Sequence, residues 1–315
     1  MAQPSNTHST YDAIGNREDL ADIIHNVDPT ATPFLSSIPK TKATATKHEW
    51  LTRSLTAASS TNFVIEGDDA TTDAANTNVR LFNYRAISDK VARVSGTQEV
   101  VDKAGIRSAM ALEMEDKMKE LKRDVEKILL ENNAYVAGND TTASECAGLQ
   151  AYVKTNTSIA SDATASAGTG ADAHTDGTAR ALQESFVETV LASCWSSGGE
   201  PTKGFLNAFQ KRKFAAFSGS STKMSDGDKK KVVNSVDIYI DPLGNEISLV
   251  PCRQCPTDVV YFVDPEYVKF ATLRNFSQWD LAKTGDSIRK QLLVEYTLEV
   301  CNEKAHGGIY DLSAA

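Results

Sequence analysis

From Ile106 to Asn133 apolar residues return every three or four positions. Ile106, Met110, Met114, Met118, Leu121, Val125, Ile128 and Leu129 form the stripe, and charged residues fill the gaps. This spacing predicts an amphipathic helix about 40 Å long. Such a helix is too long, and its stripe too narrow, to be buried all round in a lobe of this size. It must lie as a spine across a sheet. Ser95-Gly96-Thr97-Gln98 upstream reads as a capping box. Glu113 with Lys117 and Glu115 with Lys119 are favourable pairs on the wet side. Asn132-Asn133 and Gly138-Asn139-Asp140 end the run.

What precedes the spine cannot bury its own apolar residues. Leu20, Ile23, Ile24 and Val27 predict a short helix stopped by Asp28-Pro29, and Pro33 and Pro39 bracket Phe34-Leu35-Ser36-Ser37-Ile38. This is an arm, not a lobe. Residues 44–53 read as a strand around Trp50 and Leu51. Residues 81–94 read as its return, with Phe82, Tyr84 and Ala86 on one face. Between them, residues 54–80 are rich in Ala, Ser, Thr and Asn. They carry Glu66, Asp68, Asp69 and Asp73, no lysine, and a short strand-like Phe63-Val64-Ile65. A connection this long inside a compact domain has a task of its own. It is expected to project as a long hairpin.

Downstream, residues 154–180 are mostly Ala, Ser, Thr and Gly and read as a mobile surface loop. Leu182, Phe186, Val190, Leu191 and Cys194 predict one helix, and residues 202–217, with Phe205, Leu206, Phe209 and Phe217, a second. Residues 232–240 and 246–252 form a hairpin around Asp241-Pro242-Leu243-Gly244-Asn245, and residues 259–263 add a strand. Val294, Tyr296, Leu298 and Val300 alternate with Glu295, Thr297 and Glu299 as a one-sided closing strand. The fold class is α+β.

Charge and cysteine usage narrow the function. There are 33 Lys+Arg against 42 Asp+Glu, a net charge of −9, which argues against a protein that grips phosphate along its surface. It does not exclude a container whose wall should hold nucleic acid loosely. Five scattered cysteines suit a reducing compartment. No apolar run is long enough to span a bilayer, and residues 1–10 are polar, which argues against membrane and secreted readings.

Catalytic signatures are missing. His48-Glu49-Trp50-Leu51-Thr52 starts like a zinc-protease helix, but Thr52 stands where the second histidine belongs. Cys252-Arg253-Gln254-Cys255 is a lone CxxC between Pro251 and Pro256, after a strand; a redox motif would open a helix and a structural zinc site would need a second pair. Glu66, Asp68 and Asp69 match no calcium loop. Lys229-Lys230-Lys231 is a solvated turn, and His8, His25, His48, His174 and His306 form no triad order. Met110, Met114 and Met118 are a packing face. No catalytic residue, cofactor or metal ligand is expected. The sequence describes a subunit before it describes a catalyst.

The order of arm, long hairpin, spine helix, Gly148-Leu149, two helices, hairpin sheet and terminal strand resembles the Hong Kong 97-type fold of tailed-bacteriophage major capsid proteins. Local motifs resemble one group of these proteins: Tyr11-Asp12-Ala13 with Arg17-Glu18-Asp19-Leu20, Thr32-Pro33-Phe34, His48-Glu49-Trp50, Glu66-Gly67-Asp68-Asp69-Ala70 and Ser95-Gly96-Thr97-Gln98-Glu99. Glu120-Leu121-Lys122-Arg123-Asp124, Leu281-Ala282-Lys283-Thr284-Gly285-Asp286 and Asn302-Glu303 extend the match.

The resemblance implies an N-arm over residues 1–41, an extended loop over 42–94, a peripheral domain from 95–146 with 285–315, and an axial domain over 147–284. It implies a shell of hexamers and pentamers, icosahedral in symmetry, that encloses double-stranded DNA without sequence-specific binding. Portal protein and a separate scaffold or decoration protein are the implied partners, with no membrane. The location would be the virion, after assembly in the host cytoplasm. Two departures stand out: residues 54–80 lack the lysine that forms a covalent cross-link in some members, and no long helical segment precedes the arm. Within the same fold the rival is an encapsulin-like compartment that stores an enzyme. From other classes the rivals are a metal or redox enzyme built on Cys252 and Cys255, and an adhesin or decoration protein.

Overall fold

A computed structural model describes residues 31–70, 72–103, 105–217 and 237–314. The helix expected over Leu20–Val27, the basic run at Lys229–Lys231, His8 and His25 lie outside the described residues.

The spine is helix α3, Ala109–Leu130, and it follows α1 (Pro33–Ser37) and α2 (Gly96–Val100). It starts later than the periodicity predicts because two caps compete. Ser95 Oγ accepts Gln98 N and starts only the five residues of α2. Ser108 Oγ accepts Ala111 N and starts the spine itself. Glu99 then spans the break, taking the N–H groups of Ala109 and Met110 on one oxygen at 3.0 and 3.3 Å. On the wet face Lys119 pairs with Glu115 as expected, whereas Lys117 turns to Glu120 instead of Glu113.

Strands β1 (Lys40–Lys42), β2 (Lys47–Arg53), β3 (Asn78–Tyr84) and β4 (Ala86–Ser95) follow the arm. The expected return strand is split. β3 pairs with β2 from Lys47↔Tyr84 to Arg53↔Asn78, and the chain changes sheet at Arg85 so that β4 pairs with a different partner. The buried side slips by one residue at the elbow: Asn83 is buried in β3 and Ala86, Ala92 and Val94 in β4, so Phe82, Tyr84 and Ala86 do not share one buried face as the alternation suggests. Phe63-Val64-Ile65 is not a strand; no partner strand lies beside it among the described residues.

The middle of the chain holds β5 (Thr157–Ser158), α4 (Glu184–Ser196), β6 (Lys203–Leu206), α5 (Ala208–Phe214), β7 (Ile238–Ile240), β8 (Glu246–Pro251) and β9 (Val260–Val263). The predicted second helix is thus a strand followed by a shorter helix. Phe205 and Leu206 belong to the strand, and Asn207 caps the helix through Phe209 N. The chain ends in β10 (Val268–Asp280), β11 (Ser287–Val300) and β12 (Gly307–Ile309).

Two sheets carry the molecule. A four-stranded sheet has the order β1-β10-β11-β4, and α3 lies across it. A six-stranded sheet has the order β5-β12-β9-β6-β8-β7. The chain crosses between them twice near its C-terminus: β10 follows β9 of the six-stranded sheet yet pairs with β11, and β12 follows β11 yet joins the six-stranded sheet. In β6 and β9 alternate residues enter different cores. Phe205, Tyr261 and Val263 pack with α3, Phe34 and Tyr152, whereas Leu206, Val260 and Phe262 pack under α4 and α5. A strand buried on both faces reads as a continuous apolar run, as Val260-Tyr261-Phe262-Val263 does.

The low-complexity segment is anchored, not loose. Asp311 accepts Ala160 N and Gly177 N at 2.9 Å each and contacts His174 Nε2 at 3.1 Å. Asp162 takes Thr178 N and Oγ1, Asp172 takes Ala167 N, and Asn132 exchanges two hydrogen bonds with His174. Asp311 adopts φ 60° to make these contacts. Among the described residues no helix is long and apolar enough to cross a membrane.

Candidate assembly surfaces

The hairpin of β2 and β3 has a wet tip and a buried base. At the base, residues whose sequence neighbours look unremarkable fold over β11. Trp50 Nε1 donates to Val300 O at 2.8 Å, and the fully buried Asn83 donates to Leu298 O and Ala147 O while accepting Ala147 N. His48 Nε2 meets Glu299 Oε2 at 2.9 Å. Glu299 also faces Lys269 Nζ at 3.3 Å and takes the Cys301 thiol. The His48 contact, supported by Cys301 and Lys269, outweighs burial and holds the Glu299 carboxyl down at about 2. The supposed wet face of the closing strand is therefore dry: Glu295, Thr297 and Glu299 are all buried, Glu295 against Arg274 at 2.6 Å.

Beyond Arg53 and Asn78 the hairpin loses all cover. Leu55, Phe63, Val64 and Ile65 are 85%, 88%, 87% and 78% exposed. Asp68 N closes a turn on Ile65 O around Gly67, whose φ of 84° suits glycine. Lone exposed apolar residues are ordinary, but three in succession at the end of an extended arm mark a contact surface. Val100 and Val101 at the C-terminal end of α2, Trp195, and Ile238 with Ile240 on the edge strand β7 add smaller exposed apolar spots.

The residues singled out for chemistry take structural roles. Cys252 and Cys255 are buried free thiols in a turn. Burial, then the neighbouring Glu126 carboxyl, pushes Cys252 up to about 12; burial pushes Cys255 well above the ordinary thiol value. Neither has the lowered pKa that a reactive cysteine needs. Cys252 Sγ donates to Glu126 Oε1 at 3.0 Å. Glu126 was hidden in the sequence among the charges of the spine, although it sits beside Val125 on the stripe. Its other oxygen accepts Leu35 N at 3.1 Å, so one carboxylate caps α1, which lacks a side-chain cap of its own, and joins arm, spine and CxxC turn. Burial raises its pKa.

His306 is fully buried, and burial holds it down at about 4. Ligand atoms of His174, Asp176 and Asp311 lie within 4.8 Å of one another, but both Asp311 oxygens are already taken by backbone N–H groups. Burial favours the neutral form of Asp311, yet those two N–H groups and the His174 ring hold its pKa below the ordinary value. The acidic residues Glu66, Asp68 and Asp69 converge on no basic partner among the described residues.

The described residues thus combine an elongated hairpin, a spine helix on a four-stranded sheet and a second, two-sided sheet. Solved structures share this architecture. The cyanophage A-1(L) capsid asymmetric unit superposes with a TM-score of 0.66 at 14% identity, covering 96% of this chain and 98% of that one. The capsid of the native GTA particle superposes with a TM-score of 0.63 at 13% identity and the same coverage. The fold is thus the Hong Kong 97-like capsid fold over nearly the full chain. Residues 3–313 match the model of the SU10 major capsid protein family, and the chain belongs to that family. The major capsid protein of Escherichia phage Phieco32 is 26% identical over 345 residues, with 98% of each chain covered. The activity is that of a major capsid protein of a tailed phage, which self-assembles into a multimeric shell.

Proposed function

We propose that the shell is icosahedral, built of hexamers and pentamers, assembled in the host cytoplasm, and that it encloses double-stranded DNA without reading its sequence. The observation that carries this reading is the hairpin: a base stitched to its own β11 and a tip with Phe63, Val64 and Ile65 in water. Surface of that kind is stable only under a neighbour, and closed symmetry multiplies one such contact around a ring. In this reading residues 1–41 act as an N-arm and 42–94 as the extended loop. Residues 95–146 and 285–315 act as the peripheral domain on the spine, and 147–284 as the axial domain at the ring centre. Net charge −9 suits a wall that holds DNA loosely. The chain contributes no catalytic residue, and portal and scaffold or decoration proteins are its further partners.

Deleting residues 55–79 tests the reading. The variant is expected to fold, since the base contacts remain, and to form no shells in negative-stain electron microscopy. Normal particles from it would refute the hairpin's role. Nucleic acid extracted from purified native particles would support the genome container over an enzyme-storing compartment, and protein cargo without nucleic acid would reverse that choice.

A further inference from the structure

Arg93 and Arg289 stand directly opposite each other where β4 pairs with β11. Ala92 and Val94, on either side of Arg93, pack into the core beneath the spine, and Lys90 pairs with Asp124 of α3. Successive residues of a strand alternate faces, so both arginines lie on the face of the sheet turned away from α3. β4 is the edge strand of that sheet, and Arg93 is exposed while Arg289 is half-buried.

Like charges directly opposite each other on paired strands are unfavourable unless an ion of opposite sign sits between them. Among the described residues neither guanidinium has an ion-pair partner. The two acids at the margin are engaged elsewhere: Asp89 accepts Gln291 Nε2 at 2.7 Å, and the Asp286 carboxylate lies over Gly96. Neutral acceptors fix the arginines instead. Arg93 Nε donates to Ser287 Oγ at 3.1 Å, and Arg289 Nη2 donates to Ala282 O at 2.8 Å. These bonds orient both forks and leave both Nη groups of Arg93 and Nη1 of Arg289 without an acceptor among the described residues. Arg289 Nε is closed off from solvent and takes no part.

We propose that Arg93 and Arg289 form a seat for a phosphate group. Phosphate oxygens spread over a tetrahedron and accept from two forks at once, which also cancels the repulsion between them; a planar carboxylate matches one fork. The phosphate comes from the free ion or from the backbone of a nucleic acid. Trp279, 54% exposed, lies in the next row of the same face, opposite Gln291, and its Nε1 donates to Ser277 Oγ at 3.1 Å. A nucleotide can rest on that ring, whereas inorganic phosphate has no use for it. The seat stands apart from the shell reading; the nucleic-acid source alone rests on it.

The test uses the purified full-length chain as free protomers, titrated calorimetrically with inorganic phosphate. Wild type is expected to bind it, and Arg93→Gln or Arg289→Gln to weaken binding about tenfold or more. Arg93→Gln removes one of two facing charges, so in phosphate-free buffer it should melt no lower than wild type, which serves as the folding control. A short mixed-sequence DNA duplex then separates the sources. If the backbone is the ligand, the duplex displaces phosphate, Trp279→Ala weakens the duplex but not phosphate, and Arg93→Gln lowers the slope of log affinity against log salt by about 1. Phosphate binding that the duplex does not disturb assigns the seat to the free ion. Equal phosphate binding by wild type and the R93Q/R289Q double variant overturns the proposal, as does acetate bound as tightly as phosphate. Neither result bears on whether the chain forms shells.

Discussion

Glu126 shows how one side chain can join three parts of a chain. It is fully buried on α3 and takes Leu35 N with one oxygen and the Cys252 thiol with the other. No cation faces it among the described residues, and burial raises its pKa above the ordinary 4.5. The sign for stability follows directly. The folded state binds the proton more tightly, so Glu126 contributes its stabilisation fully below about pH 4.5, and the contribution is lost as pH rises through the raised value. Glu126→Gln keeps an acceptor for Leu35 N and carries no charge, so its melting temperature should change less than wild type's between pH 4.5 and 8. Glu126→Ala leaves two donors unpaired and should cost about 1–3 kcal/mol at any pH, read by denaturant unfolding. A wild-type pH slope in the Gln variant would show that the carboxyl is not the titrating group. The CxxC spacing was plain in the sequence; what it is for was not, because its partner lies 126 residues earlier.

At the scale of elements, legibility followed the reach of the interaction. The spine was readable because helical periodicity is written in adjacent turns, and the β7–β8 hairpin because its turn residues sit between its strands. The elbow at Arg85 was not, since the buried side passes from Asn83 to Ala86 there and a polar asparagine at the buried position hides the slip. Residues 203–206 were mistaken for helix because a strand buried on both faces has no polar side to betray its period. Residues 154–180 were mistaken for a mobile loop because their composition offers no apolar anchor. The anchor is Asp311, more than 130 residues away. Removing it should therefore release one element, not the whole fold. Asp311→Ala is expected to speed proteolysis and amide exchange across 157–178 several-fold or more, while exchange in α3 and β11 stays near wild type. Asp311→Asn should fall between the two, because asparagine tolerates positive φ and keeps an acceptor oxygen. Equal loosening of α3 would mean that Asp311 supports the core instead of the segment.

For the whole molecule, the decisive quantity is surface that the single chain leaves unfinished. The hairpin's exposed apolar run lies at the far end of the element from its buried base, so the single chain leaves that tip uncovered. The sequence showed that run, because apolar residues in a polar loop are visible one by one. It could not show the cavity lined by Thr46, Arg85 and the 137–144 turn, whose parts meet only after folding. Anything that binds the folded chain but not the unfolded one raises its stability by mass action, and a neighbouring copy is such a ligand. At a protomer concentration a hundredfold above the apparent dissociation constant, the gain is about 2.7 kcal/mol. For a chain longer than 250 residues this corresponds to a rise of a few degrees in melting temperature. Assembled shells should therefore melt higher than free protomers, and the midpoint should climb with total protein concentration. Protein lacking residues 55–79 should melt at one concentration-independent temperature near that of the free wild-type protomer. If shells and protomers melted together, the hairpin would be complete without its neighbour and its exposed tip would need another partner.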